Sequence, residues 1–186
     1  IDGAVTFGGR VTLPYNTYGV AVVTQSGGTS IWNGDVRLGG FASDGDGHME
    51  LSGGTATFNN HLYVGRSTGT ANARLDVLGA AATIEVKGTA RLYLYSGATL
   101  GFEVHPDGVS MIDVLSNLTT ISGGTIDMSL KGFTPSEGQV FDLIRSSSLL
   151  QSDVDNLSVS PANEGLWALQ LGQHEGVNTL QAKYLL

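Results

Sequence analysis

The sequence predicts an all-β chain wound as a parallel β-solenoid (a β-helix), with coils of about 26 residues and a C-terminal β-hairpin cap. Three observations lead there. Ser26-Gly27-Gly28-Thr29 returns 26 residues later as Ser52-Gly53-Gly54-Thr55, and Ser96-Gly97-Ala98-Thr99 returns at the same interval as Ser122-Gly123-Gly124-Thr125. Apolar and polar residues alternate in Arg74-Leu75-Asp76-Val77, Thr83-Ile84-Glu85-Val86 and Arg91-Leu92-Tyr93-Leu94, the period of half-buried strands. No segment carries a sustained helical stripe with caps; the best helical candidate, Ser146 to Leu157, is short and Ser-rich. A 26-residue period is too short for a propeller blade of roughly 40 residues and suits one three-sided coil. A sandwich or jelly roll is the alternative for the same short strands. Each coil adds about 4.8 Å, so seven coils would form a rod of roughly 35 Å.

The chain divides at residues 25 and 130. Residues 1–25 are apolar and strand-like, with Ala4-Val5-Thr6-Phe7, Val11-Thr12-Leu13 and Val20-Ala21-Val22-Val23, and read as an N-terminal cap or a segment that joins subunits. Residues 26–130 hold the repeats. Within each block a strand is followed by a turn, and Asn33-Gly34, Asn59-Asn60 and Lys87-Gly88 occupy equivalent turn positions, where Asn and Gly tolerate the left-handed backbone. Gly79-Ala80-Ala81-Ala82-Thr83 is a degenerate copy of the Ser-Gly-Gly-Thr corner. The inner columns are expected to hold Ile31, Val36, Leu38, Met49, Leu51, Phe58, Leu62, Val64, Leu75, Val77, Ile84, Val86, Leu92 and Leu94, with Trp32 and Trp167 also packed inward. Residues 131–186 leave the rhythm and form a C-terminal β cap. There Val140 to Ile144 reads as a strand, and Leu166–Leu171 and Thr179–Leu185 as a hairpin joined by Gly172–Asn178.

The order of Ser-Gly-Gly-Thr, strand, Gly132-Phe133-Thr134-Pro135, Phe141-Asp142-Leu143-Ile144, Ser146-Ser147-Ser148-Leu149 and Leu166-Trp167 resembles the C-terminal end of bacterial autotransporter-type β-helical passengers. It is similar also to exported proteins of the PEP-CTERM kind. The resemblance spans residues 26–186 and implies a β-helix displayed on, or released from, a bacterial cell surface.

Composition narrows the function. Charged residues make up 14% against roughly 25% in an ordinary soluble domain. The net charge of −8 argues against nucleic acid as a partner, because phosphate contacts need clustered Lys and Arg. There is no cysteine for disulfides, and no run reaches the roughly 18 apolar residues of a transmembrane helix. The opening Ile1-Asp2-Gly3 reads as a mature extracellular or cell-surface chain with its signal peptide removed.

Chemistry is sparse. Asp44, Asp46 and Glu50 in Asp44-Gly45-Asp46-Gly47-His48-Met49-Glu50 are the candidate metal ligands, for calcium, since alternating carboxylates suit a hard cation; a solvated Asp-Gly corner is the plain alternative. No other cofactor is expected. Asp76, Glu85, Glu103 and Asp127 are candidate catalytic carboxylates, yet each looks like the outward solubilising partner in its strand, and no pair stands out. The histidines at 48, 61, 105 and 174 lack metal spacing and read as exposed loop residues. Tyr15, Tyr18, Trp32, Tyr63, Tyr93 and Tyr95 are candidates for stacking on sugars, with inward packing or cross-strand ladders as the alternative, the one favoured for Trp32 and Trp167. A Thr-x-Thr ice-binding pattern has only Thr55-Ala56-Thr57 and Thr68-Gly69-Thr70 behind it.

A solenoid exposes unpaired strand edges at its ends, which natural members cap. The expected function is therefore a non-catalytic extracellular structural protein that self-associates head-to-tail into a fibre or surface layer. The joint is expected at Val5, Phe7, Val11, Leu13, Val20, Val22, Tyr184 and Leu185. The alternative is a monomeric adhesin or carbohydrate-binding module whose partners are cell-surface glycans, and a polysaccharide-active enzyme stands third.

Overall fold

The computed structural model describes residues 3–14, 19–39, 45–67 and 72–186. The first coil supplies β1 (Ala4–Phe7), β2 (Val11–Leu13) and β3 (Val20–Gln25). The second supplies β4 (Thr29–Trp32), β5 (Val36–Leu38) and β6 (Asp46–Leu51), and the third β7 (Gly54–Phe58), β8 (Leu62–Val64) and β9 (Ala73–Val77). The fourth gives β10 (Ala82–Val86), β11 (Leu92–Leu94) and β12 (Ala98–Val104), and the fifth β13 (Ile112–Asp113), β14 (Thr119–Ile121) and β15 (Thr125–Leu130). The remainder comprises β16 (Val140–Arg145), helix α1 (Gln151–Asp155), β17 (Ser158–Val159), a 3-10 turn at Pro161–Asn163, β18 (Trp167–His174) and β19 (Val177–Tyr184).

Each coil contributes one strand to each of three sheets. The first sheet runs β1-β4-β7-β10-β13-β16-β19-β18, the second β2-β5-β8-β11-β14, and the third β3-β6-β9-β12-β15-β17. Among the described residues the strands pair in parallel except β16 with β19 and β19 with β18. The five complete rungs make about four windings at a spacing near 26 residues. Seven coils do not form, because the coil from Ile112 to its partner Ile144 is enlarged and the chain then closes in an antiparallel hairpin.

Alternation decides which side chain enters the core. Val36, Leu38, Met49, Leu51, Phe58, Leu62, Val64, Leu75, Val77, Ile84, Val86, Leu92 and Leu94 are all buried, as expected, and so are Trp32 and Trp167. Ile31 is the exception. It lies between Thr6 and Thr57 on the outer face, and its neighbours Ser30 and Trp32 point inward. The indole explains the register, since Trp32 stacks on Phe7 at 3.9 Å and on Phe58 at 5.9 Å, filling one inner column across three rungs. Ser30 is tolerated inside because Trp32 Nε1 donates to its hydroxyl (2.9 Å), and that hydroxyl donates to Gln25 Oε1 (2.7 Å). The amide of buried Gln25 in turn donates to Thr55 O at 3.1 Å.

The Ser-Gly-Gly-Thr corners mark a kind of turn, not one fixed phase of the coil. Thr29, Thr55 and Thr83 share a column of the first sheet, whereas Thr99 and Thr125 pair in the third. Gly54 has φ +76°, and a Cβ there would overlap Gly28 O and sit 2.6 Å from Gly27 C, so successive corners nest only without a side chain.

The C-terminal end is closed. Phe141, Leu149 and Val154 are buried together with Trp167 and Tyr184 of the hairpin, with Trp167 5.1 Å from Tyr184 and 5.8 Å from Phe141. The hairpin turn is tighter than expected. Its two residues, Glu175 (φ 52°) and Gly176 (φ 79°), both take positive φ, as the right-handed twist of a two-residue hairpin demands. Within Ser146–Leu157 only one short helix forms, where the Asp153 carboxylate accepts the Leu150 N–H (2.8 Å) and Val154 is buried.

Candidate functional site

The two ends of the solenoid differ. At the N-terminal end β1, β2 and β3 each carry a neighbour on one side only, so three strand edges lie open among the described residues. Val5, Phe7, Val11 and Leu13 point inward there, yet Val5 is exposed and the others are half-buried. One rung further in, the same columns hold Ser30, Trp32, Val36 and Leu38, all fully buried. Val20 and Val22 face outward beside Asp46 and His48 and are 72% and 55% exposed, forming an apolar margin on the third sheet.

At the other end, segment 146–156 covers the edge of β14: Ser148 Oγ accepts the Thr119 N–H (2.9 Å), and Asn156 Nδ2 donates to Ile121 O (3.1 Å). The first sheet alone continues to a long terminal strand, β18. Two antiparallel steps restore its direction to that of β1 and β16. Leu185 and Leu186 are exposed just beyond β19. Tyr184 corrects the expected joint: it is the last inward position of β19 and is buried against Trp167, so it belongs to the C-terminal core.

Of the expected calcium ligands, Asp46 and Glu50 do not converge. Asp46 and Glu50 lie on one extended strand with His48 between them, separated by about 13 Å of backbone, whereas calcium oxygens lie at 2.3–2.6 Å from the ion. Asp46 instead accepts the Asn72 N–H at 3.2 Å. Asp44 lies outside the described residues, as do Tyr15, Tyr18 and Thr68-Gly69-Thr70.

The carboxylates are tied down by ion pairs, and Asp76 departs most from its expected solvated state. Its side chain is 7% exposed, with Oδ2 2.7 Å from His48 Nε2 and accepting from Arg74 Nε at 2.8 Å. Arg74 Nη2 reaches across the intervening strand to Asp127 Oδ2 (2.9 Å), whose other oxygen accepts from Asn163 Nδ2 (2.9 Å). The gap that Arg74 crosses is Gly101, towards which Asp76 Oδ1 points with no hydrogen-bond partner among the described residues. Burial pulls on the Arg74 guanidinium, but hydrogen bonds to both aspartates hold its pKa above the ordinary value. Glu85 pairs with Lys87 (2.6 Å), and Glu103 with His105 (2.8 Å) and Lys131 (3.3 Å).

Each histidine is half-buried and partnered, correcting the expectation of exposed loops. His61 Nδ1 accepts the Arg91 N–H (3.0 Å), and His105 Nε2 lies 2.8 Å from Leu78 O. His174 Nδ1 meets Asp142 Oδ2 at 2.7 Å beside a hollow of about 270 Å³ lined by Val109, Met111 and Phe141. Gln181 Nε2 occupies the other oxygen of Asp142 (2.7 Å), so this pair pins the hairpin to the sheet.

The outer face of the second sheet presents one column through Thr12, Arg37, Tyr63, Tyr93 and Thr120. The Arg37 guanidinium lies 3.9 Å from the Tyr63 ring centroid. Tyr63 and Tyr93 stack at 4.5 Å and 5°, Tyr95 follows at 5.9 Å, and His61 meets Tyr63 and Tyr93 edge-on. Burial pushes the Tyr63 phenol upward despite the opposing charge of Arg37, and burial likewise raises Tyr95.

No protein-family model matches the chain, and no curated protein sequence matches it. The class that the molecule defines is a three-sheet β-solenoid repeat protein.

Proposed function

We propose that this chain is a non-catalytic structural protein of the cell exterior that associates head-to-tail with further copies of itself into a fibre or layer. The supporting observation is the contrast between the first rung, whose inward residues lack full cover, and the C-terminal end, whose inward residues are buried while the β18 edge carries a neighbour on one side only. The inward columns that are fully buried one rung deeper are exposed at Val5 and only half-buried at Phe7, Val11 and Leu13. A strand added there would bury them and satisfy the free edges together. The direction of β18 offers the mate: β1 of the next copy would extend the first sheet as a parallel pair. Export rests on composition, a Gly-rich chain without cysteine and with few charges.

The test is sedimentation velocity and negative-stain electron microscopy across a concentration series, on the wild type and on Val5→Asp and Val11→Lys. Growth of the wild type beyond dimers, lost in both variants while the circular dichroism of a β protein is retained, is the expected result. Monomers at every concentration, or association that halts at a dimer, refute head-to-tail assembly.

A further inference from the structure

The outer face of the second sheet carries a charge and aromatic pattern of its own. The chain has a net charge of −8, yet the strands of this sheet and the residues flanking them hold Arg10, Arg37, Arg66 and Arg91 against Asp35 alone among the described residues. Asp35 is itself paired with Arg37 (3.1 Å) and Arg10 (3.6 Å). Arg91 reaches Thr120 Oγ1 at 3.0 Å on the neighbouring strand. A basic face on an acidic protein calls for an acidic occupant.

The aromatic geometry narrows the chemistry. Tyr63 has Arg37 on one ring face and Tyr93 on the other, so no nucleobase can stack on it. The ring edges and hydroxyls remain. Among the described residues the hydroxyls of Tyr63, Tyr93 and Tyr95 have no hydrogen-bond partner. The upward shift of Tyr63 and Tyr95 keeps those phenols protonated and able to donate. Guanidinium groups bind carboxylates in two-point fashion, while phenols exchange hydrogen bonds with hydroxyls. Rungs about 4.8 Å apart repeat this chemistry along a line.

We propose that the outer face of the second sheet binds a linear acidic polysaccharide, its carboxylates pairing with Arg37 and Arg91 and its hydroxyls bonding the phenols of Tyr63, Tyr93 and Tyr95. This gives the glycan-binding alternative of the sequence a defined site and ligand class.

The test is calorimetry on the intact chain with de-esterified polygalacturonate as probe. Its methyl-esterified form, which keeps the sugar and removes the charge, and polyglutamate, which keeps the charge and removes the sugar, serve as comparisons. The expected result is binding of the acid form at low salt and at least tenfold weaker binding of both comparison polymers. R37Q/R91Q should lose at least tenfold, Y63F/Y93F/Y95F at least threefold with the ring stack kept, and K131Q, an exposed change on another face, should lose nothing. No binding of polygalacturonate overturns the proposal, and so does equal binding of polyglutamate. An unchanged triple phenylalanine variant overturns it as well. Loss of self-association in R37Q/R91Q without an effect on polygalacturonate would make the occupant a second copy, and that too overturns it.

Discussion

Replacing Gly101 with Ala isolates the buried ion-pair network on the third sheet. The backbone there is ordinary strand, so Ala meets no conformational barrier and would by itself gain about 0.5–1 kcal/mol over Gly. Its methyl group, however, would overlap Asp76 Oδ1 and sit 2.8 Å from Arg74 Nη2 and 3.0 Å from Asp76 Cγ. Asp76 has nowhere to retreat, being 7% exposed and held between His48 and Arg74. Breaking a buried pair costs about 3–5 kcal/mol, and the 40% exposure of Arg74 points to the lower end. Subtracting the strand gain leaves a net destabilisation of about 2 kcal/mol, or roughly 4–8 °C in Tm for a chain of this size. Thermal and urea unfolding of wild type, G101A, D76A and the double variant form the assay. In the D76A background the same methyl group should be neutral or stabilising by up to about 1 kcal/mol. An equal loss in both backgrounds refutes the steric reasoning, as does a loss below about 0.5 kcal/mol in the wild type.

Ser30→Ala should cost about 1–3 kcal/mol, read from the urea midpoint at unchanged m, because buried Trp32 Nε1 and Gln25 Oε1 each lose a partner. Gly88→Ala, with φ +66° and nothing within 4 Å, should cost roughly 1–2 kcal/mol. Gly54→Ala adds to a similar strain an overlap with backbone that cannot swing away, so its midpoint should fall well below that of G88A. Alkaline titration followed by near-ultraviolet absorbance should show a late-ionising fraction among the six tyrosines, abolished in Y63F/Y95F. Because both phenols are raised above 10.0, their contribution to stability is present below that pH and fades as the pH climbs through the raised values.

The solenoid is legible because a coil is a local, repeated solution to one problem, burying alternate residues beneath a corner that tolerates Gly. Even the Asn turns repeat structurally, since Asn59 Nδ2 donates to Asn33 Oδ1 at 2.9 Å in the preceding coil. What alternation leaves open is parity. Ser30-Ile31-Trp32 offers an apolar residue on either face, and only the Phe7 and Phe58 rings of the adjoining rungs choose Trp32. The ion-pair network was hidden for another reason. His48 and Arg74 stand one regular coil apart, but Asp127 is reached over a glycine and Asn163 through an enlarged coil, so no constant spacing connects them. Tyr63 and Tyr93 are similarly 30 residues apart, outside the 26-residue frame, and their stack emerges only once the sheet sets the register.

The difference between sheets has a mechanical consequence. Every strand lies across the stacking direction, so tension along the axis loads the ladder bonds of one interface at a time, like a zipper. The second sheet joins neighbouring coils through rungs of only three residues, whereas β3 and β6 pair over six. A pull between the first coil and the terminal hairpin should therefore open the side that bears the tyrosines first and hinge each coil about the third sheet. The chain would lengthen in steps of one coil, giving a force trace of small repeated events instead of a single rupture.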